Sequence, residues 1–261
     1  MGTGPSEKSG EDKRTQGGCR PSRPGLVPPL VSIIVVVYRD REELARLLKN
    51  LTPFRAPEVE LIVIDGGSQD GSIDLLRDSR NQCDYWLSEP DGGIYDAMNK
   101  GIAAARGEYI LHINAGDELL QLPLAQLALL AQRQVDVVCC RVLEDGKHIF
   151  IPRNNWLLRF DNTWHHQGTF YRRTAHLGYD CSYRVFGDFD HNQRSRKAGR
   201  SVELLEVTIA SHRTDGISRS QRSRHEIFRS IRSNFGPLHL LPAFARFQML
   251  ALRNIIRGRE K

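Results

Sequence analysis

The sequence predicts an α/β fold built on a mixed, mainly parallel sheet, followed by a less regular second half. Three observations carry that prediction. Residues 31–37, 59–64 and 109–113 are short runs dominated by Val, Ile and Leu, as expected of strands covered on both faces. Segments with helical spacing lie between them, which is the β-α-β alternation of a parallel layer. Each run ends in polar or acidic residues: Tyr38-Arg39-Asp40, Asp65-Gly66-Gly67 and Asn114-Ala115-Gly116-Asp117-Glu118. In open α/β sheets ligands bind beyond the carboxyl ends of the strands, so these three ends mark a crevice.

Residues 1–23 are rich in Gly, Ser, Lys, Arg and Glu and contain no apolar stretch. They read as a flexible tail and not as a signal peptide, and 1–28 is assigned to it. Pro28-Pro29 leads into the first strand. Asp40 is placed to cap the next helix, whose Leu44, Leu47, Leu48 and Leu51 share one face. The second strand is 59–64, and Asp70-Gly71-Ser72 opens a short helix through Leu75 and Leu76. Residues 84–88 are a weaker strand. Ile94, Ala97, Met98, Gly101, Ile102 and Ala105 again fall on one helical face, with Gly107 as the stop. After the strand at 109–113, residues 123–133 read as helix and 135–142 as strand. Beyond 145 the pattern is irregular up to a β-like run at 207–210.

With 261 residues, 40% of them hydrophobic, the chain can bury one substantial core, and no run of 18 apolar residues offers a membrane span. The five cysteines are odd in number and lack metal spacing, which suits free thiols in a reducing cytoplasm. Net charge is +6, and from Arg219 to Lys261 there are ten Lys or Arg against Glu226 and Glu260. Nucleic acid is not the expected partner, because no aromatics interleave with those cations.

Asp65 stands where a carboxylate can accept hydrogen bonds from a nucleobase imide or a ribose hydroxyl, and Gly66-Gly67 lets backbone approach a ligand. A turn acid capping the helix after Gly71 is the competing reading. Tyr38 offers a ring either to a base or to the core. No G-x-G-x-x-G follows a strand and no G-x-x-x-x-G-K-[ST] occurs, so phosphate must be held by another device. A strand-end carboxylate can hold Mg2+ or Mn2+ while phosphates and water complete the shell. Asp117 is the candidate ligand, with Glu118 or Asn114 helping through water.

Together with Glu89-Pro90-Asp91-Gly92-Gly93-Ile94-Tyr95-Asp96-Ala97-Met98-Asn99-Lys100-Gly101, these strand ends resemble glycosyltransferase family 2 on a GT-A fold. That run followed by Asn114-Ala115-Gly116-Asp117 is most similar to the colanic-acid and exopolysaccharide-type transferases. The resemblance covers residues 31–194. It implies an inverting transferase of the cell envelope that takes a nucleotide-sugar donor, UDP-linked by inference, and a glycan or lipid-linked acceptor. It divides the domain 29–215 into a donor half, 29–118, and an acceptor half, 119–215, with 216–261 as a basic helical extension.

Residue by residue, the resemblance implies that Tyr38 and Asp65 meet the donor base, with Asp40 and Asn114 also on the donor side. Asn99 and Lys100 fall in the donor-side helix, and Asp117 is the last acid of the metal motif. The chain departs from the family's frequent Asp-x-Asp-Asp by having Asn114 and Gly116 at the first two acidic places, which leaves Asp117 as the main ligand. Arg39 stands where an Asn is frequent.

Val185-Phe186-Gly187-Asp188-Phe189-Asp190-His191-Asn192-Gln193-Arg194 resembles the family's acidic motif. It implies Asp188 as the general base that deprotonates the acceptor hydroxyl. Asp190 is the rival base, and Arg194 would orient Asp188 or meet phosphate. Trp164-His165-His166-Gln167-Gly168-Thr169-Phe170-Tyr171 resembles a segment beside the acceptor site, so one of His165 and His166 is expected to line that pocket. Adjacent histidines are poor zinc chelators. Thr214-Asp215-Gly216-Ile217-Ser218 reads as a flap hinged at Gly216 or as an ordinary turn.

Two further readings stay open. A binding protein that kept the fold but lost turnover would also explain the thinned metal motif. In residues 243–257, Arg246, Arg253 and Arg257 oppose Phe244, Phe247, Ala251 and Ile255, which suits either a membrane interface or a helix packed on its own domain. The first option would put a cytoplasmic protein at the inner face of the cell membrane.

Overall fold

The computed structural model describes residues 14–18, 28–78, 83–213 and 224–259, with the backbone alone for 224 and 250–259. In chain order the elements are β1 (Thr15–Gly17), β2 (Val31–Val37), α1 (Arg41–Leu51), β3 (Val59–Asp65), α2 (Ser72–Asp78), β4 (Tyr85–Ser88), α3 (Ile94–Ala104), β5 (Tyr109–His112), β6 (Glu118–Leu119), α4 (Leu124–Gln132), β7 (Val137–Glu144), β8 (His148–Phe150), β9 (Thr169–Arg172), α5 (Gly187–Lys197), β10 (Val202–His212), α6 (Arg224–Phe235) and α7 (Leu240–Arg259).

The strands described form one sheet in the order β1-β4-β3-β2-β5-β9-β7-β10-β6, with β8 also paired to β7. β2 to β5 are mutually parallel, and β9 is antiparallel to both β5 and β7. β7 and β10 therefore point the same way as β2 to β5. β1, β6 and β8 pair antiparallel with their neighbours. The sheet is mixed, as read from the sequence: β2 to β5, β7 and β10 run one way, and β1, β6, β8 and β9 run against them. Its consequence is a shared carboxyl edge, where the ends of β2, β3, β5 and β10 deliver their polar residues.

The period of two along each strand decides which layer a side chain enters. Val31, Ile33, Val35 and Val37 of β2 join Leu44, Leu47, Leu48 and Leu51 of α1 and Leu127 and Leu130 of α4. Ile34 and Val36, with Ile62 and Ile64 of β3, pack under Tyr95, Ala97 and Met98 of α3. Asp40 caps α1 as expected, accepting from the Glu43 N–H at 3.3 Å. Each buried Leu of α1 contributes about 2 kcal/mol of apolar burial, so this face fixes α1 on the sheet. At Gly101 an added Cβ would meet Ile34 at 2.4 Å, so α3 can approach β2 only because a glycine stands there.

Three sequence readings are corrected. Within the span assigned to a flexible tail, Thr15–Gly17 is a strand paired to β4. In the half read as irregular, β10 is an eleven-residue strand along β7, with register shifts between Leu205 and Thr208 and between Thr208 and Ala210. The basic extension packs on the domain, one of the two readings open for it: Ile227, Ile231 and Ala243 form a separate small core with Phe160 and with Phe189 of α5. On α7, Arg246 pairs with Asp161 and Phe247 packs on Phe228, so these two turn inward and do not lie on opposite faces. The side chains of Ala251, Arg253, Ile255 and Arg257 lie outside the described set, as does the segment 214–218. Among the described residues no helix is long and apolar enough to cross a membrane.

Candidate active site

At the end of β3 the Asp65 side chain is fully buried. Its Oδ2 accepts from the Gly67 N–H (3.1 Å), the Ser68 N–H (2.9 Å) and the Ser88 hydroxyl (2.6 Å). Its Oδ1 is buried with no hydrogen-bond partner. The carboxylate is fixed through one oxygen and keeps acceptor capacity at the other. Gly66 lies beside it in a slot: an added Cβ would meet Asp91 Oδ2 at 2.6 Å and the Tyr38 ring at 3.1 Å. Tyr38 itself is 57% exposed, unusual for a strand-end aromatic and suited to stacking. Arg39 adopts φ 52°, held by its N–H donating to Ser68 Oγ at 2.7 Å. Asp91 was not singled out from the sequence; burial raises its carboxyl above the ordinary aspartate value.

The turn after β5 carries the second acid. Asp117 is 6% exposed, and its Oδ1 lies 2.7 Å from His212 Nδ1 at the end of β10. Its Oδ2 accepts from Gln167 Nε2 (2.8 Å) and the Asn114 N–H (3.2 Å). Burial pulls His212 down, but the hydrogen bond and charge of Asp117 carry it above the ordinary histidine value. Two amide oxygens in the same knot, Asn114 Oδ1 and Gln167 Oε1, are buried without partners. The carboxylate and the two amide oxygens are hard donors of the kind that Mg2+ or Mn2+ takes, whereas His212 is engaged with Asp117 itself. Among the described residues there is no cluster of three or more His, Cys, Asp or Glu, and a cation here would take most of its shell from substrate or water. Glu118 begins β6, exposed.

Asp188 sits in the first turn of α5, its side chain 13% exposed. Asn162 Nδ2 donates to its Oδ2 at 2.6 Å, and His166 Nδ1 lies 3.4 Å from the same oxygen. Asn114 Nδ2 lies 3.2 Å from the other His166 nitrogen, Nε2. The two nitrogens of this one imidazole thus link Asn114 to Asp188. Asn162 is held in turn by Asn192 Nδ2 (2.8 Å), whose Oδ1 accepts from the Tyr171 hydroxyl at 2.5 Å. Tyr95 OH donates to the Val185 carbonyl (2.6 Å) and accepts from the Asp188 N–H (3.3 Å). Gly187 makes room, since a Cβ there would strike the Tyr95 ring at 2.7 Å. Burial by itself would raise the Asp188 carboxyl, but the hydrogen bond and charge of His166 bring it below the usual value.

Other expected site residues are engaged elsewhere. Asp190, the rival base, turns away from Asp188 and accepts from Arg194 Nε (2.7 Å), Tyr183 OH (3.2 Å) and Asn234 Nδ2 (3.0 Å). Arg194 also donates to the Gly178 carbonyl at 2.7 Å, so it ties α5 to that loop and its recorded hydrogen bonds do not include Asp188. Asn99 clasps the Tyr179 backbone through both amide atoms (2.8 and 2.9 Å). Lys100 pins the 89–93 turn through the Pro90 carbonyl (3.1 Å) and Glu89 (3.0 Å). Asp40 is spent as a helix cap. His165 stacks on His166 with centroids 5.6 Å apart, and burial lowers it to about 3. Asn162, Tyr95 and His212 are the residues the sequence did not announce.

A family profile described as Glycosyl transferase family 2 matches residues 32–192. An uncharacterized glycosyltransferase of Mycobacterium tuberculosis (strain ATCC 25618 / H37Rv) is 42% identical over 90 residues, and the match spans 34% of either chain. The PGL/p-HBAD biosynthesis glycosyltransferase of Mycobacterium bovis (strain BCG / Pasteur 1173P2) is 28% identical over 208 residues, covering 73% of this chain and 79% of its own. Among solved structures, S. aureus TarS 1-349 in complex with UDP-GlcNAc superposes with a TM-score of 0.63 at 17% identity, over 78% of this chain and 66% of that one. The likeness is one of fold, the GT-A type. With the profile covering both halves of the site, the chain belongs to glycosyl transferase family 2.

Proposed function

We propose that this protein transfers a sugar, a hexose by the family's pattern, from a UDP-linked donor to a hydroxyl of a glycan or lipid-linked acceptor, inverting the anomeric centre. The observation that carries the reading is a set of three acids at one sheet edge, two of them, Asp117 and Asp188, joined by a chain of side chains. Asp65 is poised with a free oxygen at the β3 end, Asp117 is knotted to His212, and Asp188 is joined to the Asp117 turn through His166 and Asn114. Asp65 Oδ1 accepts from the base or ribose, and Tyr38 stacks beside it. Asp117, held in place by His212, would with the amide oxygens of Asn114 and Gln167 hold Mg2+ or Mn2+, which would supply Lewis-acid neutralisation of the diphosphate. Asp188 accepts the acceptor proton while that oxygen forms its bond to C1 and the C1–O bond to diphosphate breaks. The transition state is oxocarbenium-like, and one displacement inverts the centre. The lowered pKa keeps Asp188 ionised and ready to accept, and the proton moves as the nucleophile attacks.

A cytoplasmic site of action, in polysaccharide assembly for the cell envelope, follows from this reading and agrees with the buried free thiols of Cys83, Cys139 and Cys140. The degenerate-fold alternative rests on Asn114 and Gly116 replacing acids, and it predicts nucleotide binding without turnover. UDP release from a panel of UDP-sugars, with the anomer of the product followed by NMR, separates the two. Metal-dependent release with inversion is expected. Release with retention would refute the single displacement, and binding with no release would favour the alternative.

A further inference from the structure

Trp156, Leu238, Leu241, Phe244 and Met249 are 65%, 81%, 77%, 58% and 63% exposed. Single exposed apolar residues are ordinary, but these lie on adjoining segments. The Trp156 ring meets Phe160 edge-on at 6.1 Å, and Phe160 stacks at 6.3 Å on His239, next to Leu238. On α7, Ala243 is buried, Phe247 packs on Phe228 and Arg246 pairs with Asp161, which defines the inner side of the helix. Leu241 and Phe244 are left on the outer side. Basic charge borders the patch: the exposed Arg159 guanidinium lies 5.5 Å from the Phe235 ring centroid, and that ring meets His239 at 5.7 Å. Of the two acids after Arg219, Glu226 is buried against backbone N–H groups.

We propose that this face docks on an anionic lipid surface, with Trp156 and the 238–249 side chains entering the headgroup region. Apolar side chains on a helix lying along the surface, an exposed Trp and a cationic border are the combination that such an interface recognises. The face is wired to the candidate base. Residues 156–162 carry Trp156 at one end, Asp161 bonded to Arg246 of α7, and Asn162 bonded to Asp188 at the other. Docking would thus present the acceptor side of the site to the bilayer, where a lipid-linked hydroxyl is within reach. That orientation rests on Asp188 being the base, whereas the docking does not.

The test is sedimentation of the full chain with vesicles of phosphatidylcholine and phosphatidylglycerol, against phosphatidylcholine alone. Two variants are compared, Leu241→Glu/Phe244→Glu and Trp156→Ser, with thermal unfolding as the check on folding. Wild type is expected to co-sediment with the anionic vesicles, less so in high salt, and the double variant to bind about tenfold or more weakly. Trp156→Ser should be weaker than wild type. No co-sedimentation of wild type, or equal binding by both variants, would overturn the proposal. So would a wild-type dimer that the double variant dissolves, which would make the face a self-interface. Loss of the UDP reading leaves this assay unaffected.

Discussion

Two hydrogen-bond donors of different kinds meet at one oxygen of Asp188, and their removal has separable effects. Asp188→Asn should lower kcat by about 10²–10⁴ while UDP affinity holds, because the group acts on the acceptor proton. Unchanged turnover in this variant would take the base away from Asp188. His166→Phe makes a different prediction. Asp188 works ionised, and His166 helps keep its pKa low, so activity in wild type fails only at low pH. Without His166 the carboxyl rises and the acid limb of kcat/KM should move to higher pH; a limb that stays in place would contradict the coupling. Asp65 and Asp117 were legible in the sequence as acids at strand ends, and Asp188 through the likeness of residues 185–194 to the family's acidic motif. His212 was not, since it lies 95 residues from Asp117 and joins it through the tertiary fold alone. Nor were Asn162 and Tyr95, which local spacing cannot aim. For Asn99, Lys100 and Arg194 the sequence supplied position along a helix but not direction, and their side chains hold loops.

β10 and α6 are the elements whose placement completes the site. β10 runs parallel to β7, so its carboxyl end arrives at the same edge as Asp117. α6 delivers Glu226, whose carboxylate accepts from the N–H groups of Arg184 (2.9 Å), Val185 (3.0 Å) and Phe186 (3.0 Å) just before α5. Glu226→Ala strands three backbone donors and should cost about 2–3 kcal/mol of stability, read from urea unfolding. It should also lower kcat with little change in UDP binding, because the loop it clamps carries Asp188; a stable variant with full kcat would show that the clamp is dispensable. The β-α-β half was legible because Val31–Val37 and Val59–Asp65 are buried along their whole length and cannot be mistaken for surface. β10 escaped because it is half exposed, carries Glu203 and Glu206 and is interrupted by register shifts. β1 is three residues long and owes its existence to the open edge of β4.

Over the whole molecule, three histidines gather where β5 approaches α5. His176 and His191 stack at 4.1 Å, and His112 lies 6.4 Å from His176. Burial lowers all three, His176 to about 3. The unfolded chain takes up these protons near the ordinary histidine value and the folded chain does not, so stability is full above about pH 6.5 and falls as pH drops. Each imidazole contributes up to about 1.4 kcal/mol per pH unit below that value. The urea midpoint should therefore drop between pH 7.5 and 5, and His191→Phe should flatten the dependence; a midpoint independent of pH would show that these rings are hydrated. The central claim, that one sheet edge holds a nucleotide-sugar through Asp65 and a metal at Asp117, is tested most directly by calorimetric titration of UDP with and without Mn2+. The expected result is metal-dependent binding, weakened about tenfold or more in Asp117→Ala and unchanged in Asp188→Asn. Absence of UDP binding under every condition, or binding indifferent to both the metal and Asp117, would contradict it.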